Sequence, residues 1–224
     1  MSKFESVVID LSTRGNVLAN NHLNRYFINA GFRKNDILMK HIEKTRVGSV
    51  VFTTGSGRYN LLLLAGVHGN ELPSQAALVH LMNDILLEKI KVKCKLHLIP
   101  FLIPASTMAN HRKYDNKDMN RNAHSDGITK GIIDYAENNS VTALCDCHST
   151  DPDNKPGMAS VFCSARPLVD SIRIAKHICL NTHSRILPIS EAGSVLKGAV
   201  EDESNLRGIP AVTCEAVEKS GHIT

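Results

Sequence analysis

The chain has 224 residues, 42% of them hydrophobic and 21% charged, with no tryptophan. That is enough for one domain with a sizeable core, and it excludes a disordered chain, a collagen-like repeat, a disulfide miniprotein and a membrane bundle. Twenty-six basic against 22 acidic side chains leave a formal charge of +4, too small and too scattered to indicate a nucleic-acid partner.

In chain order, the N-terminal stretch MSKFESVVIDLS places Glu5 and Asp10 where a signal peptide needs an unbroken apolar core. A cytoplasmic protein that does not bind membranes is therefore expected. Short apolar runs predict strands at 7–10 (VVID), 49–54 (SVVFTT), 60–66 (NLLLLAG), 95–102 (KLHLIPFL), 141–148 (VTALCDCH), 159–163 (ASVFC) and 211–216 (AVTCEA). Several lack polar alternation, which suits strands covered on both faces. The stretch 89–95 (KIKVKCK) reads as the solvated approach to a strand.

Between the strands, 71–89 has a helical apolar face with Pro73 early, and 128–138 and 166–180 carry weaker helical patterns. The acidic cluster Glu201-Asp202-Glu203 reads as the start of a short helix before Gly208, with attraction of a basic substrate side chain as the other reading. Strand–helix alternation predicts an α/β sandwich around a mostly parallel sheet, whose active site would collect beyond the C-terminal strand ends. The six cysteines lie mostly in apolar runs of a chain too core-rich to need staples, and they are expected to be reduced.

Two such strand ends carry chemistry. Directly after the run LLLLAG comes GVHGNE (66–71), with His68 and Glu71 three apart, and the run VTALCDCH ends in His148. Two imidazoles and one carboxylate are the ligand set of a catalytic zinc that keeps one position open for water. Alone, His-x-x-Glu is a frequent pattern, and a helix-capping histidine with a first-turn glutamate would also account for it.

The company it keeps decides between them. GVHGNE, then HRKYDNKDMNR (111–121), CDCHS (145–149) and TCEA (213–216) follow one another in an order that resembles the zinc carboxypeptidase superfamily. In motif form they are closest to the succinylglutamate desuccinylase/aspartoacylase deacylases. The resemblance implies a three-layer α/β sandwich with a mixed, mostly parallel central sheet. It implies one Zn²⁺ per chain, held by His68, Glu71 and His148, with Glu215 as the catalytic glutamate. Arg112 matches the arginine that polarises the scissile carbonyl, Asn120 and Arg121 the pair that binds a substrate carboxylate, and Asp118 the carboxylate behind the first zinc histidine.

Each role also has a physical reason. A carboxylate near the metal can take a proton from water and return it to the leaving amine, as Glu215 would. A guanidinium at Arg112 can share a developing oxyanion, and the planar fork of Arg121 matches a carboxylate. Lys113 and His111 are neighbours of Arg112, and Asp115 of Asp118, that could take those roles instead. Asp146 faces the same side of its strand as His148; support of that ligand from behind is one reading for it, and a capping or core hydrogen bond is the favoured one. Cys145 and Cys147 point the other way, and no second Cys pair completes a thiolate site. His22, His41, His80, His97, His177, His183 and His222 have no companion motif, so surface or core roles suffice.

The expected function is zinc-dependent hydrolysis of an amide near a substrate carboxylate. An N-acyl amino acid deacylase leads, with a metallocarboxypeptidase or murein-type peptide amidase as the alternative. A zinc-dependent carboxylate-binding protein without turnover is the reading from another class. The partner would be a small N-acyl amino acid or a short peptide, with homo-oligomerisation left open. Nine residues follow Glu215, so one catalytic domain over 1–224 is expected, without the C-terminal β domain of the deacylases.

Overall fold

The apolar runs become a single eight-stranded sheet. The computed structural model describes residues 4–125, 127–188 and 198–217. Its strands are β1 (Glu5–Asp10), β2 (Ser49–Thr54), β3 (Asn60–Ala65), β4 (Lys95–Ile99), β5 (Ala143–Thr150), β6 (Ser160–Cys163), β7 (Arg185–Leu187) and β8 (Ala211–Val217). They lie in the order β1-β2-β4-β3-β5-β8-β6-β7. Four of the seven pairings are parallel, and β1–β2, β2–β4 and β6–β8 are antiparallel. The three-layer α/β expectation is met, with a mixed sheet.

Seven of these strands coincide with the predicted runs. The eighth, β7, was not predicted: it is a three-residue edge strand, with Arg185 and Ile186 exposed, and too short to show a period. The helices are α1 (Asn21–Asn29), α2 (Asp36–Lys44), α3 (Leu72–Leu86), α4 (Pro104–Met108), α5 (Ile128–Asn138), α6 (Val169–Asn181) and α7 (Val200–Leu206). α3 stops three residues short of its predicted end, because Glu88 turns to a φ of 57°. α6 starts after Pro167, with Leu168 as its N-cap, because a proline disfavours helix in the residue before it.

Alternation along the strands divides the interior between the two sheet faces. Leu61, Leu63 and Ala65 of β3 join Phe27, Phe52, Val79 and Met82 under α1–α3, while Leu62 and Leu64 join Ile132, Ile133 and Val200 under α5 and α7. A smaller cluster of Val161, Ala175 and Val212 seats α6. Each fully buried Leu or Phe contributes on the order of 2 kcal/mol, so both layers are anchored through the middle strands. β3, β5 and β8 run parallel, so their C-terminal ends open on one edge of the sheet. All six cysteines are free thiols, as expected. Among the described residues no helix is long and apolar enough to cross a membrane.

Candidate metal centre and substrate cavity

The chain must turn sharply after β3 to deliver GVHGNE. Gly66 has a φ of +80°, and at Gly69 any Cβ would lie 2.0 Å from the carbonyl carbon of Ser106, so no other residue fits that close approach. Gln75, fully buried on α3, ties the turn down. Its amide donates to the carbonyl oxygens of His68, Gly69 and Glu71 (3.2 Å each), and its oxygen accepts from Thr107 Oγ1 at 2.8 Å. Sequence reasoning missed Gln75; its place one helical turn beyond Glu71 was the available signal.

Glu71 occupies the N-cap of α3 but makes no capping bond, and both ring nitrogens of His68 meet carboxylates and not the helix end. Its carboxylate turns into the site. Oε1 lies 2.8 Å from His68 Nδ1 and 3.1 Å from Arg112, and Oε2 lies 2.7 Å from His148 Nδ1 and accepts from the Ser149 backbone N–H at 3.1 Å. The donor atoms of His68, Glu71 and His148 all lie within 4.8 Å of one another, and all three residues are buried. Among the described residues no other group of histidines, cysteines and carboxylates has this arrangement.

The far nitrogens of the two histidines are held alike. His68 Nε2 is 2.9 Å from Asp118 Oδ1, and His148 Nε2 is 2.9 Å from Asp146 Oδ2. Asp146 is fully buried and is the chief correction to the sequence reading, because its hydrogen bond fixes a candidate ligand rather than the core. Asp115, the alternative to Asp118, lies in an exposed turn with a φ of 50°. Asp118 also caps the turn Met119–Arg121 and accepts from Arg112 at 3.2 Å.

This arrangement tests the donor set for a cation. With the Nε2–H of each ring given to a carboxylate, each Nδ1 presents a lone pair to the oxygens of Glu71, which is repulsive unless a proton or a cation lies between them. At His148 the proton is favoured: Asp146 and Glu71 push this histidine well above the usual range, despite its burial. The same histidine partners hold Glu71 far below the usual carboxylate range, against the opposing effect of its burial. A borderline divalent ion would serve both lone pairs and the carboxylate at once, and two imidazoles with one carboxylate suit it. The residues fit a metal.

Around this centre lies a cavity of about 590 Å³, within the usual range for small-molecule sites. Arg112, Asn120, Arg121 and Glu215 all line it, together with Phe162, Glu201 and Thr213. The described structure therefore brings every predicted site residue to one place, with Asp118 just behind. Arg112 is half-exposed and pairs with Glu71 and Asp118, whereas Lys113 and His111 do not line the cavity. Asn120 is more committed than expected: its oxygen accepts from the Val200 N–H, and its nitrogen sits 3.4 Å from His148 Nε2. Glu215 faces His148 in register on the neighbouring strand. Its Oε2 is buried without a hydrogen-bond partner among the described residues, and burial raises its carboxyl to about 7. Of the unassigned histidines, His41 and His97 are buried in the core, and His222 lies outside the described residues.

Residues 58–130 match the family model of the succinylglutamate desuccinylase/aspartoacylase catalytic domain. The resemblance read from the motifs holds. No curated protein matches the chain. Among solved structures, an aspartoacylase family protein from Mesorhizobium loti is 20% identical with a TM-score of 0.55, over 75% of this chain and 55% of that one. A Helicobacter pylori cell shape determinant protein with a bound tripeptide is 16% identical (TM-score 0.58), over 71% and 46%. Bovine thrombin-activatable fibrinolysis inhibitor, in complex with a tick carboxypeptidase inhibitor, is 14% identical (TM-score 0.59), over 88% and 86%. The chain spans about half the length of the first two, and the likeness establishes the carboxypeptidase-like fold.

Proposed function

We propose that the chain is a zinc-dependent hydrolase that cleaves an amide bond near a substrate carboxylate, with N-acyl amino acid deacylation as the leading reaction. One observation carries this reading. A buried His–Glu–His donor set, each histidine fixed by its own carboxylate, shares a cavity with two arginines and with a half-buried glutamate, Glu215, whose Oε2 has no hydrogen-bond partner among the described residues. His68, Glu71 and His148 would hold the ion, which when bound supplies Lewis acidity and lowers the pKa of water.

The chain's own groups do the rest. Glu215, ionised, accepts a proton from the attacking water at its carboxylate and passes it to the departing amide nitrogen. Arg112 is near enough to Glu71 to share the charge that grows on the carbonyl oxygen. Arg121 and Asn120 receive the substrate carboxylate and so set which amide lies beside Glu215. Asp118 and Asp146 hold the Nε2–H tautomers, which keeps both Nδ1 atoms available for the ion.

Cleavage of a peptide is the second reading, supported by the cavity's size and by the coverage of both chains in the likeness to the fibrinolysis inhibitor. The test is a panel of N-acetyl and N-succinyl amino acids beside C-terminal and γ-glutamyl peptides, offered to the zinc-loaded chain before and after chelation. Chelator-sensitive hydrolysis restored by zinc is expected. Stoichiometric zinc without turnover of any panel member would leave a carboxylate-binding protein in its place.

A further inference from the structure

Three thiols meet on the face of the sheet turned away from the metal centre. Along β5, Cys145 and Cys147 alternate with Asp146 and His148, and along β8, Cys214 alternates with Thr213 and Glu215. The parallel register sets Cys147 beside Cys214 and Cys145 beside Val212, so the three cysteines share one face of two neighbouring strands. Cys145 Sγ lies 3.4 Å from Cys214 Sγ and 3.8 Å from Cys147 Sγ. Cys147 borders the core under α1–α3, while Cys145 and Cys214 border the cluster under α6. The group therefore sits at the seam between two helical covers, and each of its cysteines is partly exposed. No second cysteine pair in the sequence completes a thiolate site, but the fold brings in a third sulfur from 69 residues beyond Cys145.

A thiol in a core often serves as a small apolar group, and that suffices for Cys163 and Cys179 beside the α6 cluster. It does not explain three sulfurs turned onto one another at a partly open seam. Two kinds of chemistry join close thiols, and the geometry separates them. A disulfide needs Cα atoms within about 7 Å and Cβ atoms about 4 Å apart. Cys145 and Cys214 are diagonal neighbours across the ladder, a relation that spans about 7–8 Å. Cys145 and Cys147 follow one another on the same face of one strand, with their Cα–Cβ bonds side by side. A bridging ion asks for less. Two thiolates about 2.3 Å from one ion, at angles of about 95–110°, stand about 3.4–3.8 Å apart, and both observed pairs do. Thiolates are soft donors that select soft ions. Three of them suit monovalent copper, which is satisfied by two or three, better than zinc, which takes four donors in structural sites.

We propose that Cys145, Cys147 and Cys214 form a second metal site, for Cu(I), back to back with the His–Glu–His centre. Cys145 is the shared member of both sulfur contacts, so the ion would seat between it and Cys214. Cys147 would close on it by rotation about χ1. Each thiol gives its proton to solvent as its sulfur takes the ion. Alternation along β5 and β8 thus yields two donor sets of different softness, imidazole and carboxylate on one face and thiolate on the other.

The test is an anaerobic titration of the reduced, zinc-loaded chain with Cu(I), in competition with the chromogenic chelator bicinchoninate and followed by copper K-edge absorption. We expect one Cu(I) per chain, with two or three sulfurs at about 2.3 Å. Cys145→Ser should weaken binding at least 100-fold, and Cys147→Ser and Cys214→Ser about tenfold each. Cys94→Ser, on the approach to β4, should leave it unchanged, and circular dichroism checks the fold of every variant. No binding by the natural chain, copper held by nitrogen and oxygen, or an affinity unchanged in a folded Cys145→Ser overturns the proposal. Should Cys145→Ser fail to fold, Cys147→Ser and Cys214→Ser decide: weakening in both supports the site, and in neither overturns it.

Discussion

The cavity holds two polar regions, similarly buried but finished differently. At the metal centre, both nitrogens of His68 and of His148, and both oxygens of Glu71, have a partner. At the other, Glu201, Thr213 and Glu215 each bury an oxygen with no partner among the described residues. A satisfied network holds its geometry before any ligand arrives. An unsatisfied one carries a free-energy cost that a ligand with donors relieves. Under the proposed function the first would bind an ion in a fixed geometry, and the second would accept a proton at Glu215.

Breaking the second region at its reactive end gives the largest effect. Glu215→Gln should retain the metal while kcat falls about 10²–10⁴-fold, read by steady-state kinetics beside metal analysis. Full activity would move the base elsewhere.

The next effect is on stability. Glu201 is held at about 7 in the fold, above the 4.5 it would have free, so the folded state keeps a proton that the unfolded chain gives up. Its contribution is fully present below about pH 4.5 and is lost as pH rises through 7. Glu201→Gln, which does not titrate, should therefore gain on the natural chain by up to about 3 kcal/mol between pH 4.5 and pH 8. Denaturant unfolding at both pH values checks this; a pH-independent difference would place the carboxyl in a solvated setting.

In the first region, Asp146→Asn keeps the shape but weakens the hold on His148. The expected loss is about 10- to 100-fold in metal affinity, measured by competition with a chelator. Outside both regions, Arg207→Ala removes the pairs to Asp134 and Glu137 and should change stability by no more than about 1 kcal/mol. A larger loss would mean that the α5–α7 face, and not the cavity, controls the stability of this layer.

How much of this was legible in the sequence follows the same division. The strands that carry the site are apolar runs, so β3, β5 and β8 were readable to within a few residues. The ligands could be read because they sit at the ends of those runs. α1 and α2 were not, although Asn20 and Asn35 cap them through their side chains; each is nine residues long and buries only a narrow stripe. Asp146 was visible but misjudged, because a strand pattern shows that it shares a face with His148 and not that it meets the ring. Gln75 and Glu201 act through the closeness of separate segments, which no local period records. The acidic cluster marked a helix start correctly, while the burial of Glu201 beneath it depends on β8, placed there by the fold.

The central claim is that His68, Glu71 and His148 form one metal centre. Calorimetric titration of the metal-free chain with zinc, repeated for Glu71→Gln and His148→Ala, tests it most directly. The account predicts one ion per chain, proton release on binding, and loss of tight binding in both variants. Tight binding that survives both substitutions, or no binding by the natural chain, would contradict it.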